Sequence, residues 1–249
     1  RNHDFSETNR IPTLLGRKVA TIDTRTQTVK LDDGTLLHWE KLLLATGGQP
    51  IIPQMASTNA KGIFTFTKLD DAEAIAARLP NAPNVVVIGG GLIGVSVTDA
   101  LVKLGANVTI VEMKDTILNV LLDETASALV LGKLREKDIR VLTGCTVTEI
   151  NSDFTTEIIN GVTLDDGREI PAEMVIVAVG VRPRVELATA AGIKVNRGIV
   201  VDRYMQTSTP NVYACGDAAE AYDYIYESNR VTPIWPNAFV GGSVAGLNM

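Results

Sequence analysis

The sequence predicts an α/β fold in which one complete strand–loop–helix unit is inserted into a second, interrupted unit of the same kind. Three observations predict it. Residues 85–101 read VVVIGGGLIGVSVTDAL, a β-branched run that meets three consecutive glycines and passes at once into helical spacing. Residues 29–50 and 162–183 repeat each other at a constant offset of 133, without a gap. Residues 182–249 carry no glycine-rich loop of their own, so they are read as rejoining residues 1–53.

Composition sets the outer bounds. The 249 residues are 45% apolar and 21% charged, ordinary values for a chain with a sizeable core. Acids exceed bases by 29 to 23, a net charge of −6 with no long Lys/Arg cluster, which argues against a nucleic-acid surface. No apolar run approaches the ~20 residues that span a bilayer. The first ten residues, RNHDFSETNR, are polar and lack the apolar core of a signal peptide, so no membrane partner and a cytoplasmic location are expected. Cys145 and Cys215 stand 70 residues apart, giving neither a redox pair nor a disulfide framework; two buried thiols are expected. His3 and His38 are the only histidines, so no histidine-based metal site is expected.

Taken in order, residues 1–53 read as the closing part of the interrupted unit, and 54–83 as a connecting segment. A helix is expected over 70–79 (DDAEAIAARL), stopping before Pro80. The complete unit occupies 84–181. It opens with a strand over 84–88, and Gly89, Gly91 and Gly94 then fit G-x-G-x-x-G. Ile93, Val97, Leu101 and Leu104 keep helical spacing up to Gly105, and NVTIV (107–111) supplies a second strand closed by Glu112. A further helix is expected near 123–137 and a strand over 140–142. In the tail, strands are expected at 198–202 (GIVVD) and 211–215 (NVYAC), with a last helix from about Asn237.

Each glycine of the loop has a physical task. The first permits the tight turn, the second lets a pyrophosphate approach the backbone, and the third lets helix pack closely on strand. The loop Gly89, Gly90, Gly91, Leu92, Ile93 and Gly94 then presents free N–H groups and a positive dipole end to phosphate. Glu112 lies 18 residues after Gly94, where an acid meets the adenosine ribose 2′-hydroxyl. A carboxylate there accepts from a 2′-hydroxyl and repels a 2′-phosphate, so NAD is favoured over NADP, with Lys114 two residues on as a possible moderator. The expected architecture is therefore Rossmann-like.

The repeat aligns VKLDDGTLLHWEKLLLATGGQP with VTLDDGREIPAEMVIVAVGVRP, and nine of the 22 positions are identical. Each copy holds an Asp-Asp-Gly turn between extended segments, then an apolar strand ending at Ala-x-Gly. In the second copy that strand ends at Gly180, 91 residues after Gly89. The glycine loop matching the first copy would by the same spacing lie upstream of Arg1.

LLLATGGQP, IGGGLIG, VIVAVGVRP and TSTPNVYACGDAAE occur in an order that resembles the pyridine nucleotide-disulfide oxidoreductase superfamily, covering nearly the whole chain. The nearest resemblance is to its NADH oxidase, nitrite-reductase-like and CoA-disulfide-reductase-like branch, as a piece truncated at both ends. The resemblance implies an NAD domain (84–181) inserted into a partial, discontinuous FAD-binding domain (1–53 and 182–249). It implies FAD and NAD as cofactors, hydride transfer from NADH to the flavin, an unidentified onward electron acceptor, and a homodimeric parent. It also implies that Ala45, Thr46 and Gly47 lie close to the flavin nucleotide, that Gly180 lies near the nicotinamide end, and that Gly216 and Asp217 bind the FAD ribitol. Ala238 and Phe239 fall near the helix start that faces the flavin.

Two departures from the pattern matter. Ser96 stands where the family has a Glu beside the nicotinamide, and the stretch that would hold the first glycine loop and a redox cysteine is not among these residues. No catalytic nucleophile is assigned, and the isolated chain is expected to bind NADH without firm FAD binding or turnover. The competing reading is an NAD(H)-binding module without flavin chemistry. A dehydrogenase acting directly on a small substrate ranks third, because only His38 is available as its acid or base.

Overall fold

The computed structural model describes residues 4–53, 60–153 and 155–249. His3 and positions 54–59 of the expected connector lie outside the described residues. The chain forms two compact units: one spans Gln49–Arg182, and the other combines the residues through Gly48 with those from Pro183 onward.

The Gln49–Arg182 unit is built on a five-stranded parallel sheet ordered Ile63–Thr65, Met174–Val177, Asn84–Ile88, Asn107–Glu112 and Arg140–Thr143. Its central strands are mostly apolar because both faces are covered. Val85, Val86, Val87, Ile176 and Ile110 are each at most 2% exposed. One face packs on the Leu92–Lys103 helix through Val97 and Leu101, and on the Glu124–Arg135 helix through Leu134. The other packs on an antiparallel meander of Val147–Ser152, Ile159–Leu164 and Glu169–Pro171, whose Ile150, Ile159 and Val162 point inward. Asp123 starts the Glu124–Arg135 helix by accepting from the Ala126 N–H at 2.8 Å.

In the other unit, Val19–Asp23, Thr28–Leu31 and Leu36–His38 form a second antiparallel meander. Leu42–Leu44 pairs in parallel with Val212–Ala214. The last helix, Trp235–Asn248, is held at its end where Lys41 Nζ and the Tyr213 hydroxyl both donate to the Asn248 carbonyl.

The 133-residue repeat is structural down to single hydrogen bonds. Thr28, Val29 and Lys30 face His38, Leu37 and Leu36; Gly161, Val162 and Thr163 face Pro171, Ile170 and Glu169. Those pairings have one register. In each turn an Asp accepts from the N–H two residues on at 3.0 Å, Asp33 from Thr35 and Asp166 from Arg168.

Boundaries agree with expectation at one proline and differ elsewhere. The connector helix runs Leu69–Arg78 and stops before Pro80 as expected, giving way to a 3₁₀ turn, Leu79–Asn81, that contains the proline. Proline is tolerated there because a first-turn N–H needs no intrahelical partner. The same physics starts the last helix at Trp235, ahead of Asn237, with Pro236 in its first turn. The strand expected over 198–202 is only Ile199–Val200. Among the described residues no helix is long and apolar enough to cross a membrane, and no cluster of three His, Cys, Asp or Glu could hold a metal.

Candidate functional site

The sheet reverses direction of growth at the Asn84–Ile88 strand. The chain steps from it to Asn107–Glu112 and on to Arg140–Thr143, then returns on its other side as Met174–Val177. Such a switch point opens a crevice at the carboxyl ends of the strands, where ligands of α/β sheets bind. Gly89 to Gly94 sit at that end.

The three fingerprint glycines meet three different surroundings. Gly89 has φ +108°, and a Cβ on it would lie 2.5 Å from the Ala178 carbonyl oxygen of the neighbouring strand. A Cβ on Gly94 would overlap the Gly89 carbonyl oxygen, so the helix enters directly against the loop. A Cβ on Gly91 would meet nothing within 4 Å. The one glycine with open space is the one expected to admit a pyrophosphate. Gly91 is also the helix N-cap, with no side chain to occupy the N–H groups of the first turn. Leu92 is exposed beside them, Ile93 is half-buried against the core, and Ser96 is exposed on the same helix.

Glu112 is 9% exposed at the end of the adjacent strand. One carboxylate oxygen accepts from the Gly90 N–H at 2.6 Å and the other from the Lys114 N–H at 2.8 Å. A carboxylate offers roughly four lone-pair positions, so two remain for hydroxyl donors. The loop has a brace that sequence reasoning missed. The Leu118 N–H donates to the Gly90 carbonyl at 2.8 Å, and the Ile117 side chain fills the space beside Gly90. No motif marks residues 117 and 118; the only available signal was an apolar pair between strand and helix. Gly180 has φ +122°, and its carbonyl accepts from the Ile51 N–H.

The other unit holds the remaining candidates. Ala45, Thr46 and Gly47 follow Leu42–Leu44, while Gly216 and Asp217 follow its partner strand Val212–Ala214. The Cys215 N–H donates to the Leu44 carbonyl at 3.1 Å, so the ends of these two segments lie side by side. The Thr46 hydroxyl donates to the Arg184 carbonyl at 2.7 Å. Asp217 is half-buried in a short 3₁₀ turn, and its carboxylate has no partner among the described residues. A free acceptor of that kind fits a polyol hydroxyl. Ala238, in the first turn of the last helix, lies 3.8 Å from where a Cβ on Gly216 would stand. Phe239 beside it is exposed.

Both cysteines are buried. Burial pushes the Cys145 thiol up, with Arg168 partly opposing it, and burial alone pushes Cys215 up. Both shifts favour the neutral thiol.

A glycine loop opening a helix at the switch point of a parallel sheet, with an acid ending the next strand, defines a Rossmann-like α/β protein. The chain belongs to the pyridine nucleotide-disulphide oxidoreductase family, whose model matches residues 2–245. It is 34% identical over 232 residues to the assimilatory nitrate reductase electron transfer subunit of Bacillus subtilis, covering 93% of this chain and 29% of that protein. It is 31% identical over 249 residues to the NADH-dependent phenylglyoxylate dehydrogenase subunit epsilon of Aromatoleum evansii, covering 100% of this chain and 58% of that protein. The solved NAD-dependent persulfide reductase from A. fulgidus has a TM-score of 0.94 at 34% identity, covering 98% of this chain and 46% of that one. The chain thus spans less than two thirds of the length of these relatives.

Proposed function

We propose that this chain is the nucleotide-binding part of an FAD-dependent NADH oxidoreductase, in which a hydride passes from NADH to FAD and electrons pass on to a second acceptor. NADH is held by Gly89, Gly90, Gly91, Leu92, Ile93 and Gly94, by Glu112, and near the nicotinamide by Gly180. FAD is contacted by Ala45, Thr46, Gly47, Gly216 and Asp217. These residues group as an NAD domain over 84–181 and FAD-domain segments over 1–53 and 182–249.

The observation that carries this reading is the pairing of open space at Gly91 with the buried, doubly hydrogen-bonded Glu112 one strand away. Backbone N–H groups at the start of the Leu92–Lys103 helix are fixed donors for a pyrophosphate, and the positive end of the helix dipole adds to them. Glu112 selects the ribose by accepting from hydroxyl groups. The Asp217 carboxylate, without a partner among the described residues, supports a second, polyol-bearing ligand in the other unit. Bound flavin supplies a two-electron acceptor for the nicotinamide hydride. The family resemblance supports a homodimeric assembly of the complete protein.

The test is anaerobic rapid mixing of the flavin-loaded complete protein with NADH, following the absorbance of oxidised flavin. Bleaching at a saturable rate is expected. NADH binding without bleaching would favour a nucleotide-binding module that does no flavin chemistry.

A further inference from the structure

A cleft in the unit that does not carry the 89–94 loop has the chemistry of an anion site. It is open to solvent, has a volume of about 350 Å³ and is lined by Asn196, Arg197, Asn229, Arg230 and Val231. That volume lies at the lower end of the roughly 300–1,000 Å³ typical of small-molecule sites. Two arginines, two asparagines and one valine line it, with no Asp or Glu among them. Neither arginine makes an ion pair among the described residues, although the chain carries 29 acids to 23 bases.

Both walls are held in place without a ligand. On one side the Glu220 carboxylate, 2% exposed, accepts from Asn196 Nδ2 at 2.9 Å, the Arg197 N–H at 2.8 Å and the Gly198 N–H at 2.9 Å. Three donors occupy that carboxylate, so it fixes the loop and does not line the cleft. On the other side the Arg230 guanidinium lies 3.7 Å from the Tyr226 ring centroid, which fixes the plane of its donor fork. The walls also abut: a Cβ on Gly198 would come within 2.9 Å of Val231 Cγ2.

We propose that this cleft binds a phosphate group, either free phosphate or the phosphate of a small ester. Two arginines line one cleft, and an anion between them would offset the repulsion of their like charges. Each guanidinium carries about five N–H donors, more than the two oxygens of a carboxylate use well, whereas a phosphate offers three oxygens and a charge of about −1.5 to −2. The proposal is independent of the oxidoreductase reading, because no residue of the cleft belongs to either nucleotide site.

The experiment is calorimetric titration of the chain with inorganic phosphate and, separately, ribose 5-phosphate. NADH is kept saturating to block the glycine loop, and ionic strength is held constant with chloride. One saturable site is expected. Arg197→Gln and Arg230→Gln should each weaken it at least ~10-fold, as loss of a charge-assisted, bidentate contact implies. Arg203→Gln, which removes an exposed arginine stacked on Tyr204 outside the cleft, should leave it unchanged. Circular dichroism melts check that each variant folds. Tighter binding of ribose 5-phosphate than of phosphate assigns the site to an ester, and equal binding assigns it to the free ion. No saturable binding of either, or equal weakening by Arg203→Gln, would overturn the proposal.

Discussion

The Glu112 carboxylate receives the Gly90 N–H at 2.6 Å, joining the end of one strand to the glycine loop that follows its neighbour. The acid proposed to distinguish ribose hydroxyls from a 2′-phosphate is therefore also a brace of the loop. NADH should bind at least ~10-fold more tightly than NADPH, about 1.4 kcal/mol. Glu112→Gln keeps one acceptor oxygen but loses the charge, so the preference should shrink toward parity while both affinities fall. Calorimetric titration with the two nucleotides decides it. Equal affinities in the unsubstituted protein would place Glu112 away from the ribose, or show that Lys114 compensates.

Ser96 is exposed on the Leu92–Lys103 helix, two residues after Gly94. A carboxylate at this position reaches further than a hydroxyl and can hold a nicotinamide in a reactive pose. Ser96→Glu should accelerate flavin reduction by NADH in the complete protein, with little change in NADH affinity. Stopped-flow reduction of the two proteins tests this. An unchanged rate constant counts against a positioning role for residue 96.

What the sequence disclosed and what it hid divide along physical lines. Gly89, Gly91 and Gly94 were legible because their tasks are set by backbone geometry within six residues. The two hairpins were legible because an Asp-Asp-Gly turn between extended segments occurs at both 32–34 and 165–167. The Leu118 N–H that closes on Gly90 was not legible, since a contact across 28 residues leaves no spacing to read. Glu220 gave no sign of being a buried carboxylate. Its partners, Asn196, Arg197 and Gly198, are more than 20 residues upstream, and two of the three bonds use backbone N–H groups that any residue supplies. The last helix starts at Trp235, two residues before the expected Asn237, with Pro236 in its first turn, where a proline needs no intrahelical N–H partner.

Asp71 makes the connector helix sensitive to acid. Burial alone raises its pKa, but the N–H groups of Thr67 and Lys68 and the hydroxyls of Thr65 and Thr67 all donate to one of its oxygens and hold it below the usual carboxylate range. A depressed folded-state pKa gives stability that is fully present above the unfolded value of about 3.9 and is lost as pH falls through the folded one. Asp71→Asn should cost about 1 kcal/mol at pH 7, the scale of a lost helix-start contact. The difference in melting temperature between the two proteins should narrow as pH is lowered from 5 toward 3, below the unfolded value of about 3.9. A gap that stays constant over this range would show that the charge of Asp71 contributes nothing.

Gly91 and Gly94 separate folding from binding within one loop. At Gly94 an added methyl overlaps the Gly89 carbonyl oxygen, which is backbone and cannot move without displacing the loop from Ala178. Gly94→Ala should therefore destabilise the protein by roughly 1–3 kcal/mol or more, the cost of forced overpacking, and distort the nucleotide site with it. At Gly91 the backbone has φ −77° and the added methyl meets nothing within 4 Å. Alanine is a poorer N-cap than glycine, so Gly91→Ala should cost about 1 kcal/mol or less. Its methyl would nonetheless stand in the space a pyrophosphate needs in order to reach the helix N–H groups, and NADH affinity should fall at least ~10-fold. Thermal melts and calorimetric titration on both variants read the two effects separately. If Gly91→Ala binds NADH as the unsubstituted protein does, the pyrophosphate does not cross Gly91. If Gly94→Ala melts at an unchanged temperature, the tight entry of the helix against Gly89 is not what holds the loop.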